Sequence, residues 1–214
     1  MSIRTTSLVT GEYYHIYNRG NSKQIIFHDE KDYKYFIKLL KIMNTEKRIM
    51  SSRVSDNSVD KKLQENVISI GAYCCMPNHF HILIKQEKDN GISAFIQKIS
   101  TAYVMYYNKR YNRTGSLFEG KFKSKYAGED IYLKYLFSYI HLNPLKILDK
   151  DWKRKAKSST RETINFLIKY PYSSFREYYT NQYDVVLKNA FPKYFPSRAS
   201  FMRDIFSWIT LENN

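Results

Sequence analysis

Residues 76–85 read MPNHFHILIK. Pro77 and Asn78 are turn formers, and the stretch 79–86, HFHILIKQ, that follows alternates in polarity. In a strand, residues two apart share a face. His79, His81, Leu83 and Lys85 therefore point one way, and Phe80, Ile82 and Ile84 the other. The second set is uniformly apolar and predicts the side that packs against helices. The segment before the turn, NVISIGAYCCM (66–76), reads as a further strand, so Met76, Pro77 and Asn78 join two strands.

Working outward, EYYHIYNRG (12–20) is rich in aromatic and β-branched residues and predicts a first strand. In 29–44, Tyr33, Phe36, Ile37, Leu40 and Met43 recur at helical spacing, with acidic residues at the start. Residues 45–66 are polar, a long connection of the kind that is functional, mobile or inserted. A second helix is predicted over 89–112, with Ile92, Phe95, Ile96, Ile99, Tyr103 and Tyr106 on one stripe. SLFEGKFKSKYAG (116–128) alternates and predicts a fourth strand. A third helix spans 129–144 and is expected to stop at Asn143-Pro144, because a residue before proline avoids the helical region. The order β-α-β-β-α-β followed by a helix predicts an α+β fold, a ferredoxin-like antiparallel sheet with two helices on one face. The other face is left for a site, an extra helix or nucleic acid. Composition changes after Pro144. Residues 1–149 are expected to form the main domain, and 150–214 a basic linker and C-terminal extension packed on or near it.

The chain has 214 residues, 43% of them hydrophobic and 26% charged, in the ordinary range for a globular protein. Its net charge of +15 points to a polyanionic partner. Cys74 and Cys75 are adjacent, so on a strand they face apart and cannot readily bridge each other. The N-terminus lacks the apolar core of a signal peptide, and no apolar run approaches the length of a membrane span. A cytoplasmic protein, with no membrane partner, is expected.

Two imidazoles on one strand face, with Cβ atoms about 7 Å apart, can converge on one ion, since neutral histidine is a common metal ligand. They can equally be ordinary sheet residues. A structural zinc site fits less well, because it wants paired C-x-x-C or H-x-x-x-H spacing. Two histidines leave positions open for water and substrate oxygens, which suits Mg²⁺ or Mn²⁺ acting on a phosphate. On the third helix Tyr132, Tyr135, Leu136, Tyr139, Ile140 and Asn143 form one stripe. Tyr139 and Asn143, four apart, present a phenol and an amide on the same side. Spacing alone does not single out Tyr139, since the chain has 20 tyrosines and an aromatic stripe is most often core.

The segments YYHIYNRGN, CCMPNHFHILI, NRTGSLFEGKFKS, YLFSYIHLNPLK and YPYSSFREY, in this order, together resemble the HUH single-tyrosine transposases, specifically the REP-associated tyrosine transposase type. The likeness runs over about residues 12–179. It implies that His79 and His81 are metal-binding histidines, that Asn143 is the third, helix-borne ligand, and that Tyr139 is the nucleophile. The implied reaction is cleavage of single-stranded DNA with Mg²⁺ or Mn²⁺, leaving a 5′-phosphotyrosine and a free 3′-OH that allows strand transfer. Hairpin-forming repeats are the implied substrates, a nucleoid-associated place in the cytoplasm the implied location, and a monomer or homodimer the implied assembly. The family includes domesticated members, so a non-catalytic hairpin-binding protein is the alternative.

Residues 108–126 interleave Lys109, Arg110, Arg113, Lys121, Lys123 and Lys125 with Tyr111, Phe118, Phe122 and Tyr126. Basic side chains can track phosphates while aromatic ones stack on unpaired bases; a solvated strand edge over core aromatics is the plainer reading. Asn18 and Arg19, and the basic run 150–161, are further DNA-binding candidates. An RNA-recognition module shares the element order, but EGKFKSKY matches its aromatic motif poorly and such a module has no use for His79 with His81.

Overall fold

The computed structural model describes residues 7–46, 66–149, 152 and 161–211. Most of the polar 45–66 connection and of the basic 150–161 run lies outside these residues. The strands are β1 (Tyr13–Arg19), β2 (Ile68–Met76), β3 (His79–Gln86) and β4 (Lys123–Tyr126). The principal helices are α1 (Glu30–Ile42), α2 (Gly91–Arg110) and α3 (Asp130–Leu142). A short α4 (Leu145–Leu148) follows, then α5 (Arg161–Lys169), α6 (Phe175–Thr180) and α7 (Arg198–Leu211). The four strands form one sheet in the order β2-β3-β1-β4, with every neighbouring pair antiparallel.

Local chemistry explains the first helix. Asp29 caps α1 by accepting from the Lys31 and Asp32 backbone N–H groups, which satisfies donors that lack an intrahelical partner. Its apolar stripe then packs on one sheet face: the Phe36 ring lies 5.0 Å from Phe80 and 5.1 Å from Tyr103 of α2. Phe80, Ile82 and Ile84 are fully buried there, as the alternation predicts. Each such side chain contributes about 1.5–3 kcal/mol through burial.

The opposite sheet face is covered too, by α3 and by the C-terminal elements. His141 of α3 shares a 2.8 Å hydrogen bond with the Ser174 hydroxyl, which also accepts from the Tyr73 N–H of β2 at 2.9 Å. The chain near residue 172 runs along the outer edge of β2. Cys75 N–H donates to the Tyr172 carbonyl, and Ser174 N–H to the Tyr73 carbonyl. An edge that would otherwise offer unpaired backbone groups is thereby closed. Residues 170–206 thus share the core of the sheet domain, with Phe175, Tyr178, Phe201 and Ile205 all buried. The β2–β3 register slips between Ile70 and Ala72. A side chain at the intervening Gly71 would come within 2.6 Å of the Phe191 ring.

Two sequence expectations are corrected. The fourth strand is confined to Lys123–Tyr126 rather than 116–128. Leu117 and Phe118 are both buried, which breaks the alternation, and Gly120 adopts φ +144°. Only a single bridge, Gly20 to Phe118, joins this stretch to the sheet. Nor does Asn143 leave the helical region before Pro144. Asn143 (φ −55°, ψ −37°) and Pro144 (φ −58°, ψ −24°) both keep helical angles. Pro144 supplies no N–H to the α3 ladder, so α3 stops at Leu142 and α4 restarts at Leu145 along a continuing helical path.

Candidate active site

The register of the two central strands builds the site. Tyr17 pairs with His81, Arg19 with His79, and His15 with Leu83. Directly opposed residues share a face, so β1 adds His15, Tyr17 and Arg19 beside the two histidines of β3. Strand β4 adds Lys123 opposite Tyr17 and Lys125 opposite His15. Helix α3 crosses this face. The ring of Tyr139 meets His81 edge-on at 5.3 Å and His15 at 5.8 Å, and the His79 and His81 rings are 4.9 Å apart.

These groups open into a cavity of about 330 Å³ whose lining includes His79, His81 and Tyr139. Three cations, Arg19, Lys23 and Lys123, and one carboxylate, Glu119, also line it. A cavity with that balance attracts an anion. Lys146 of α4 places its ammonium 5.0 Å from the Tyr139 ring centroid, a cation–π distance.

The imidazoles are held neutral. Burial, then the charges of Lys146 and Arg19, lower the pKa of His79 to about 4, with the Asn143 amide opposing them. Burial, then Lys125, lowers His15 to about 4. Burial, reinforced by His15, His79 and Lys146, takes His81 well below its usual value. Neutral imidazole is the form that binds a metal.

Each ring also has a fixed partner. His79 Nδ1 lies 2.6 Å from the Asn78 side-chain oxygen, whose amide nitrogen donates to the Lys23 carbonyl at 3.3 Å. An amide oxygen can only accept, so the His79 proton sits on Nδ1 and Nε2 keeps its lone pair. His81 Nδ1 lies 2.9 Å from His15 Nε2.

Asn143 is buried, and its amide comes near enough to the His79 ring to act on its pKa, yet neither its oxygen nor its nitrogen reaches hydrogen-bond geometry with any side chain or backbone group. Buried polar groups are nearly always paired, so this amide suits a role in binding better than one in holding the fold. A hard amide oxygen beside two neutral imidazoles fits a divalent cation. Among the described residues no group of three or more His, Cys, Asp or Glu is arranged to hold a metal. A cation here would rest on His79, His81 and Asn143, with its other positions left to water or substrate oxygens. Cys74 and Cys75 are free and buried, and burial pushes both thiols up, which keeps them protonated.

The DNA-binding candidates separate. Asn18, Arg19 and Lys123 line the cavity. Asn18 opposes Phe80 in the register, and its amide donates to the Gly120 carbonyl at 3.0 Å. Arg19 is held by Glu119 through two hydrogen bonds, one of 2.7 Å. Arg110 lies on the α1–α2 side, paired with Asp29 and the buried Asp32, and Arg113 sits 5.5 Å from the Tyr107 ring centroid. Lys109 and Lys121 are exposed and Lys125 lies 4.3 Å from the Tyr132 ring centroid. Sequence reasoning missed His15, Tyr17, Lys23, Asn78 and Lys146. The signal for the first two was present: His15, Tyr17 and Arg19 repeat the two-residue spacing of His79 and His81.

A family model, Transposase IS200 like, matches residues 9–143. The chain belongs to the IS200-like transposase family. No curated protein matches it in sequence. Among solved structures it is similar to a REP-associated tyrosine transposase bound to a REP hairpin, at a TM-score of 0.55 and 13% identity, over 87% of this chain and 90% of that one. At that identity the likeness speaks to fold alone. Within the IS200-like match fall β1 to β4, α3 and every residue of the cavity. No helix among the described residues is long and apolar enough to cross a membrane.

Proposed function

We propose that this IS200-like transposase cleaves and rejoins single-stranded DNA through Tyr139, with hairpin-forming DNA as its substrate. The observation that carries this reading is the Tyr139 ring packed edge-on against His81 in a cavity lined by three cations. Arg19, Lys23 and Lys123 hold the phosphates that flank the scissile bond. The Tyr139 oxygen bonds to phosphorus as the bond to the 3′-oxygen breaks. The phenolic proton passes to water, and the leaving oxygen takes one up. The products are a 5′-phosphotyrosine and a 3′-OH. Attack by the 3′-OH of another strand reverses the exchange, so rejoining needs no ATP. Mg²⁺ or Mn²⁺, when bound by His79, His81 and Asn143, supplies positive charge that stabilises the phosphate under attack. Lys146 keeps the phenol ring in place and adds a further positive charge near it.

The test uses labelled hairpin DNA with a single-stranded flank, in Mg²⁺ or Mn²⁺. The wild-type protein should form a covalent adduct; Tyr139→Phe should bind the DNA and form none. Adduct persisting in Tyr139→Phe moves the nucleophile elsewhere. Cleavage surviving both EDTA and His79→Ala removes the metal from the reaction. Tight binding with no cleavage by wild type under any metal makes the chain a hairpin-binding protein.

A further inference from the structure

We propose that His15 is a positioning residue that accepts a hydrogen bond from His81 Nδ1–H and so leaves His81 Nε2 free for a divalent cation, the arrangement that Asn78 gives His79. The inference rests on the metal reading above. His15 Nε2 and His81 Nδ1 are 2.9 Å apart, and the two rings stack at 5.0 Å and 29°. Both residues are 7% exposed, so water has little part in orienting either ring. Between two neutral imidazoles one nitrogen donates and the other accepts. If His15 were the donor, His81 would carry its proton on Nε2, and that nitrogen could not bind a cation. With His81 as donor, its Nδ1–H points at His15 and the Nε2 lone pair is free. Asn78 imposes the same choice on His79, since its oxygen can only accept. The two histidines then present the same nitrogen, Nε2, each backed by a hydrogen-bonded partner on Nδ1.

The partners come from different places in the chain. Asn78 is the residue before His79, whereas His15 is brought to His81 by the β1–β3 register, 66 residues away in sequence. Outer partners of metal-bound histidines set ring orientation and ligand basicity, and their loss typically lowers metal affinity about 10–100-fold.

The experiment measures Mn²⁺ binding to the full-length protein, without DNA, by titration calorimetry and by electron paramagnetic resonance. Two variants separate hydrogen bonding from packing. His15→Gln keeps an oxygen that can accept from His81, and His15→Phe keeps the ring and loses the acceptor. The expected order is wild type close to His15→Gln, with His15→Phe weaker by at least about tenfold. Equal affinity in all three, or Phe binding better than Gln, overturns the proposal. If wild type binds no Mn²⁺ while His79→Ala behaves identically, the metal reading itself falls and the inference falls with it. A measurement that needs no variant is ¹⁵N-histidine NMR of the wild-type protein at neutral pH. His81 protonated at Nδ1 is expected; protonation at Nε2 with or without metal contradicts the assignment.

Discussion

Replacing Asn143 by leucine should make the metal-free protein more stable while abolishing cleavage. Both polar atoms of this side chain are buried with no hydrogen-bond partner. A buried unsatisfied donor or acceptor costs about 1–3 kcal/mol. Leucine removes both on the same branched heavy-atom skeleton, its bulkier methyl groups offsetting part of that gain by crowding, on a backbone whose φ of −55° and ψ of −37° it accepts readily. Leucine is also the better helix former, by a few tenths of a kcal/mol. The expected gain is therefore about 1–3 kcal/mol. In a domain of this size each kcal/mol moves the melting temperature by about 2–4 °C, so a rise of roughly 2–12 °C should appear by calorimetry in EDTA. Saturating Mn²⁺ should then stabilise wild type, because a ligand that binds only the native state raises its stability. It should leave Asn143→Leu unmoved. A melting temperature that falls in EDTA would mean that the amide is held by a partner, such as His79, and serves the fold instead of a ligand.

Acid should unfold the protein more steeply than its carboxylates alone would allow. His15 and His79 are lowered to about 4 and His141 to about 3, all chiefly by burial, so below the unfolded value of about 6.5 the unfolded state binds the extra protons. Stability is complete above about pH 6.5 and declines by about 1.4 kcal/mol per pH unit for each such histidine as pH falls toward the folded values. Urea midpoints at pH 7.5 and 5.5 test this, and unchanged midpoints contradict it. Glu119→Gln releases Arg19 from its carboxylate and should tighten single-stranded DNA binding. It should also steepen the slope of log K against log salt by about 0.7, the contribution of one further phosphate contact; an unchanged slope would leave Arg19 out of the interface.

How far the sequence could be read follows from how local each signal was. The strand at 79–86 and its face assignment needed only alternation over adjacent residues, and the observed strand has those bounds. The stripe of the third helix was legible only in part: Leu136, Ile140 and Asn143 are buried and Tyr132, Tyr135 and Tyr139 half-buried, but the core face also holds Leu133, Phe137 and His141, which that stripe left out. The 116–128 stretch misled because Phe118, Gly120 and Phe122 mimic alternation, whereas Gly120 takes a backbone angle that no strand uses. Contacts across the fold were not legible. His15 joins the site only through the β1–β3 register, and Arg110 meets Asp29 and Asp32 only once α1 and α2 pack. Lys146 comes near Tyr139 because the helical path continues past Pro144, against the usual preference of the residue before proline.

The most direct test of Tyr139 as the reacting group is mass spectrometry of the trapped protein–DNA product after nuclease and protease digestion. The peptide from 135 to 146 carries both Tyr135 and Tyr139, so fragmentation must assign the modified ring. A 5′-phosphonucleotide on Tyr139 is predicted; the same group on Tyr135 or on any other side chain would contradict it.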